Sequence, residues 1–318
     1  MRVDPAIAAM RRDRTVLHHA QAAVFVAAQR WSTDPRIAPI LEDFATFAHG
    51  AALFDCPHLS RLFGPGEAGR EFADLLIAGQ SAALAAERFA QVPFRHAFDG
   101  RMATLLLARA GPARLSLVSF EPGRYPGGLL VFSDSVRHEV VLAGAGTATR
   151  TLRQRDGSLE RDELDMREGA RIALDLTRHA LFVHHVARRI VCLRLARDNP
   201  DPAPTREYDP ATGAFRREAS GSARHSRHEA MLALLGRMKR AEAAPVMADI
   251  AREPGPDTLR WEALRECLAL DTAEGFAALT AVARAAGDPL ALPAGALRAQ
   301  LIEAHPQLMQ LEDAQCRA

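Results

Sequence analysis

His138-Glu139-Val140-Val141-Leu142-Ala143-Gly144-Ala145-Gly146 is the phrase on which the fold turns. Residues 138–143 read as a short apolar strand, Gly144-Ala145-Gly146 as the turn that ends it, and residues 147–153 as the strand that follows. The same rhythm of short run and turn signal extends outward in both directions, from Val92 to Ser220. It gives further strands at 94–98, 102–109, 114–120, 129–132, 159–165, 171–175, 179–185, 190–195, 205–208 and 215–217. Asp99-Gly100, Gly111-Pro112, Pro122-Gly123, Gly127-Gly128, Asp156-Gly157 and Asp209-Pro210 with Gly213 supply the turns. So many strands with no helix between them require an antiparallel two-sheet or closed-barrel solution, which excludes a Rossmann-type fold.

On either side of this region the period changes. From Asp4 to Gln91 apolar residues recur at helical spacing, as in Val16, Ala20, Ala23, Val24 and Ala27, and again in Phe72, Leu75, Leu76, Gly79 and Ala83. Asp34-Pro35, Cys56-Pro57 and Gly64-Pro65-Gly66 break this stretch into three or four helices. After Ser220 helical spacing returns with an internal echo. Ile250-Ala251-Arg252 and Ala263-Leu264-Arg265 are matched by Val282-Ala283-Arg284 and Ala296-Leu297-Arg298. A period of that size suggests stacked helix pairs, and the phrase from Asp257 to Asp271 resembles the second helix of a HEAT repeat. The expected organisation is α+β: a helical segment at 1–91, a β-barrel at 92–220 and a HEAT-like helical segment at 221–318.

The totals narrow the function classes. With 318 residues, 48% hydrophobic and 25% charged, the chain has the balance of a folded globular protein. A formal charge of +1 gives no general reason to expect nucleic acid or an acidic membrane as partner. The basic cluster Arg216, Arg217, Arg224, His225, Arg227 and His228 lacks aromatic neighbours for base stacking and reads as a solvated linker. Cys56, Cys192, Cys267 and Cys316 form no CxxC pair, so neither a zinc ribbon nor a disulfide framework is indicated. The charged stretch from Met1 to Arg14 is unlike a secretory signal, and no apolar window approaches membrane-span length. A cytoplasmic location with reduced thiols is expected.

Two stretches of the central segment resemble motifs of the cupin superfamily. Glu139 and Gly146 stand at the spacing of the carboxylate and glycine that close the first cupin motif, G(X)5HXH(X)3–4E(X)6G. Gly169 to His179 answers the second motif, G(X)5PXG(X)2H, one residue short and without its proline and internal glycine. The resemblance implies a double-stranded β-helix, the cupin jelly-roll barrel, and in a typical member a metal ion inside it. The two histidines of the first motif are missing. Their places fall on Ser133 and Ser135, or on Phe132 and Asp134, depending on the spacing taken. Under the second spacing Asp134, Glu139 and His179 form a two-carboxylate, one-histidine set whose hard oxygens suit iron, manganese or magnesium.

Strand alternation adds a condition. If Glu139 faces the interior, Val141 and Ala143 share its face and His138 points outward. If His179 faces inward, Leu181, Val183 and His185 share its face and His184 takes the other. No GxSxG serine, cysteine nucleophile or phosphate loop competes with this set: Gly123-Arg124-Tyr125-Pro126-Gly127-Gly128 lacks the following helix and lysine. Two classes of function follow. One is a regulatory or accessory protein, a degenerate cupin that binds a small molecule or a protein partner. The other is a metal-dependent, dioxygenase-like cupin enzyme. Cupins pair barrel to barrel, so the resemblance also implies a homodimer.

Overall fold

A computed structural model describes residues 15–87 and 89–310, except the side chain of Val16. The Met1–Arg14 stretch, Cys316 and the Val16 side chain of the first apolar pattern therefore lie outside the described residues. Two compact units are present: residues up to 202 together with 206–217, and 203–205 together with 218 onward.

Among the described residues of the first unit four helices come first, α1 (Thr15–Thr33), α2 (Ala38–Ala48), α3 (Pro57–Arg61) and α4 (Ala68–Ala86). Their ends fall at the proline and glycine breaks, since proline cannot donate to a preceding turn but suits the first position of the next helix. Eleven strands follow: β1 (Arg95–Phe98), β2 (Met102–Ala110), β3 (Ala113–Phe120), β4 (Gly123–Arg124), β5 (Leu130–Phe132), β6 (Ser135–Arg153), β7 (Leu159–Asp165), β8 (Arg171–Asp175), β9 (His179–Asp198), β10 (Thr205–Tyr208) and β11 (Phe215–Ala219). The main sheet runs β1-β2-β3-β9-β6-β7, with β4 also on β9 and β8 also on β6; β11-β10-β5 form a second, three-stranded sheet.

One expected turn, Gly144-Ala145-Gly146, and one expected break between strands, at 186–189, are absent because β6 and β9 are long and continuous. They pair antiparallel from Ser135 opposite Asp198 to Leu152 opposite His179, with register shifts between Val141 and Ala148. Gly144-Ala145-Gly146 is thus a bulged bend inside one strand rather than a hairpin. Gly144 has φ +101°, and a Cβ there would run into the Arg189 carbonyl oxygen. A Cβ on Gly146 would lie 2.8 Å from Ile190 Cδ1. The glycines let one strand cross closely over the other.

On the Ser135 side of the bend, β3 flanks β9 and β8 flanks β6; on the other side β4 and β7 take those places. The bend folds the sheet over on itself. Val118, Phe120, Val141, Ile172 and Cys192 from one half pack with Ala148, Met166, Val186 and Ile190 at and beyond the bend. The expected closed barrel is not made by strand pairing: the sheet is open, and among the described residues no ladder joins β1 to β7. Both edges are exposed, and β7 carries Glu160, Arg161, Asp162, Glu163 and Asp165, charges that discourage further strand pairing.

The opposite face of β3, β6 and β9 is covered by the helices. Trp31, Ile40, Phe44, Phe47, Leu59 and Phe72 share one core with Leu115, Val140, Leu142, Leu193 and Leu195. Gly69 allows α4 its close approach, for a Cβ there would sit 3.1 Å from Val140 Cγ1. Arg197 ties the layers together, donating to the carbonyls of Phe47 at 2.5 Å and Ala51 at 2.6 Å.

The second unit contains α5 (Ala223–Arg237), α6 (Ala244–Arg252), α7 (Asp257–Leu270), α8 (Thr272–Arg284) and α9 (Ala291–Ala304). The echoed phrases occupy matching places: 250–252 and 282–284 end α6 and α8, while 263–265 and 296–298 lie within α7 and α9. Leu264 is buried in the shared core with Leu268 packed against it, as their common helical face requires. Asp271 caps α8 by accepting from Ala273 N at 3.0 Å and Glu274 N at 3.1 Å. Arg260 is buried and donates to both oxygens of Asp288, at 3.0 and 2.5 Å. Among the described residues no helix is long and apolar enough to cross a membrane.

Candidate functional site

Alternation and register bring three charged side chains to the inner face of the folded sheet. Glu139 lies opposite Arg194 across the β6–β9 ladder, and Arg194 lies opposite Ser116 of β3. Arg137, two residues before Glu139, shares its face. Arg194 Nε donates to Glu139 Oε1 at 2.8 Å, and Arg137 Nε stands 3.0 Å from the same oxygen. Glu139 is 1% exposed and each arginine side chain 18%. Its other oxygen, Oε2, is buried and makes no hydrogen bond among the described residues.

Both guanidiniums line a cavity of about 760 Å³ whose apolar wall is Met102, Phe120, Leu181, Phe182 and Val183. Its rim is held by local hydrogen bonds. Asp99 accepts from the backbone N–H of Arg101 at 2.9 Å and of Met102 at 2.7 Å, and the backbone donors hold its carboxyl below the usual range. Tyr125 has its hydroxyl at 2.9 Å from the Arg101 carbonyl and 3.0 Å from that of Glu121, and burial pushes its pKa up. The phenol is therefore a fixed post rather than a proton shuttle. Cys192 is buried on the same face of β9; burial, then the charge of Glu139, pushes its thiol up to about 12, so it is not a thiolate nucleophile.

Electrostatically the cluster is unbalanced. Two guanidiniums share one carboxylate, leaving one net positive charge against a mostly apolar cavity. Burial drives the pKa of Arg137 down, Glu139 raises it again, and Arg194 adds repulsion. A buried pair of this kind contributes little net stability, because desolvation of the ions offsets most of their attraction.

The three residues expected to hold a metal are not brought together. Glu139 is committed to the arginines. His179 lies at the opposite end of the β6–β9 ladder, across from Leu152, with Nδ1 3.0 Å from the Asp175 carbonyl oxygen. Asp134 precedes β6 and accepts from the Asn199 side chain at 3.0 Å. Among the described residues no group of three His, Cys, Asp or Glu side chains is placed to hold a metal ion. Guanidiniums on either side of Glu139 also oppose a divalent cation there. The residues present do not fit the metal that a typical cupin carries.

The expected outward direction of His138 is found: its ring faces that of Phe63, at 6.2 Å, on the helix-covered side. The expected grouping of Leu181, Val183 and His185 is not, because the register shift at Thr147–Ala148 leaves His184 as the extra residue. His185 is exposed, and His184 Nε2 contacts the Thr149 hydroxyl, which donates to Glu163 at 2.6 Å. Arg137 and Arg194 were not singled out from the sequence. Two signals point to them: an arginine two residues from an inward glutamate must share its face, and Arg194 interrupts the apolar run Val191-Cys192-Leu193 before Leu195.

No family model matches the chain, and no curated protein matches it. Solved structures with similar segments are cupin-fold proteins. They include a 7S globulin of Momordica charantia (14% identity, TM-score 0.28, 37% of this chain and 36% of that one). They also include the capsular polysaccharide assembling protein CapF of Staphylococcus aureus (13%, 0.28, 48% and 41%) and ectoine synthase from P. lautus (10%, 0.25, 32% and 67%). The chain thus spans about a third of the globulin's length. At these TM-scores the likeness carries no weight beside the strand pairing itself.

Proposed function

We propose that this chain is a degenerate cupin whose folded sheet binds a small molecule, in a regulatory or accessory role rather than a metal-catalysed one. The observation that carries the reading is the cavity between the two halves of the sheet. It is of ligand size, largely apolar, and has a few convergent polar groups, the features common to small-molecule sites. In this reading the open sheet is a jelly-roll barrel whose seam is closed by side chains rather than by a ladder. The helix pairs of the second unit are HEAT-like and serve contacts with a protein partner. The echoed phrases support this, as do the exposed Met231, Leu234, Met238, Val246 and Leu292.

The test is a thermal-shift screen of the full chain against a library of small metabolites, since a ligand that binds only the folded state raises Tm with its concentration. Val183→Phe, which narrows the cavity, serves as the control. A saturable rise weakened by that substitution supports the reading. Stabilisation untouched by it, or none from any compound, overturns it.

A further inference from the structure

We infer that the cavity selects a monocarboxylate with an apolar body, its carboxylate held by the Nη groups of Arg137 and Arg194. This rests on the small-molecule reading above and narrows it to a chemical class. Three observations converge on it.

The first is the way Glu139 uses the two arginines. It accepts a hydrogen bond from Arg194 Nε at 2.8 Å, and the same oxygen, Oε1, stands 3.0 Å from Arg137 Nε as an ion pair without a hydrogen bond. Among the described residues no hydrogen bond or ion pair joins an Nη atom of either guanidinium to another side chain or carbonyl. Both arginines line the cavity, whereas Glu139 stands behind them. Glu139 is therefore a positioning residue. It fixes the Arg194 plane by a hydrogen bond, holds Arg137 beside it by charge, and leaves the terminal N–H groups of both for a planar, bidentate acceptor, the geometry that suits arginine to carboxylates.

The second is the charge count. A structural cluster in an apolar interior is expected to be neutral, because an uncompensated charge costs the full penalty of its desolvation. Here one positive charge is left over. A single carboxylate brings the cluster to two cations and two anions. A phosphate monoester, with close to two negative charges at neutral pH, would overshoot it.

The third is the wall. Beyond the two central arginines the lining charges are Asp99 and Arg101 at the rim, which balance each other, and Met102, Phe120, Leu181, Phe182 and Val183 carry none, so the body of the ligand is matched to those five by apolar surface. Benzoate-like and medium-chain aliphatic acids have this make-up. Polar sugars and nucleotides do not.

The probes are matched series measured on the full chain by thermal shift and calorimetry: benzoate, phenylacetate and octanoate, their primary amides, and phenyl phosphate. The expected result is saturable stabilisation by at least one carboxylate, affinity lower by about tenfold or more for its amide, and weaker binding of phenyl phosphate. Arg194→Lys keeps the charge but loses the fork, and weakens the carboxylate while leaving the amide unchanged. Because the comparison among ligands is made on the unaltered protein, it stands even if the variant unfolds. Equal binding of acid and amide, or tighter binding of phenyl phosphate, overturns the carboxylate assignment and leaves a small-molecule cavity. Binding by none of the seven probes overturns the carboxylate assignment, and the broad metabolite screen then decides separately whether the cavity binds any ligand.

Discussion

His138 and Glu139 are sequence neighbours with opposite fates. Glu139 turns to the inner face of the sheet, behind two arginines, and His138 turns toward Phe63 and the helices. Burial, helped by the charge of Arg197, pulls the pKa of His138 below its ordinary 6.5. The unfolded chain therefore binds a proton more readily than the folded one. This contribution to stability is complete above pH 6.5 and is lost as pH falls through the lower, folded value. His138→Gln removes that dependence. Urea unfolding from above pH 7 down to about pH 5 is expected to show a shallower loss of stability for the variant than for the parent chain. Parallel curves would mean that the ring is solvated in the folded protein.

Most strand positions were legible because period-2 runs and turn residues are local signals. Residues 159–165 and 171–175 are strands as expected, and β2 and β3 depart by only a residue or so at an end. The two long strands were not legible as such, since Gly144-Ala145-Gly146 carries the same signal whether the chain reverses or crosses a neighbour closely. The backbone of Arg189 and the side chain of Ile190 settle which, and they belong to β9, far away in sequence. Between His185 and Ile190 no turn residue occurs, and that silence was the one local hint of continuity. The site divided in the same way. The inward face of Glu139 follows from alternation, but its partners depend on the β6–β9 register, and the register shifts that strand His184 are invisible locally. The bend also separates glycines by role. Gly144→Ala combines a collision with Arg189 and a φ of +101°, and is expected to cost about 3 kcal/mol or more. Gly79→Ala, in the exposed middle of α4 with nothing within 4 Å, is expected to stabilise by about 0.5–1 kcal/mol. Denaturant midpoints of the two variants check both signs.

In the whole molecule the first unit buries both faces of its sheet, one under helices and one against itself, and the second holds a core wholly its own. The long antiparallel pair that makes the fold-over also sets an order in time. Joining Leu152 to His179 closes a loop less than half as long as joining Ser135 to Asp198. Each doubling of a loop adds about 0.6 kcal/mol to the entropic cost of closing it. The prediction is that β6 and β9 zip from the Leu152 end through the glycine bend toward Asp198. Pulsed hydrogen exchange during refolding is then expected to protect amides of residues 148–152 before those of 136–141, and the reverse order would refute it. Glu139 and Arg194 meet near the late end of that zipper. A chain caught part-way has half of its sheet and none of its charged cluster, so the capacity to hold a ligand arrives only when folding is nearly complete.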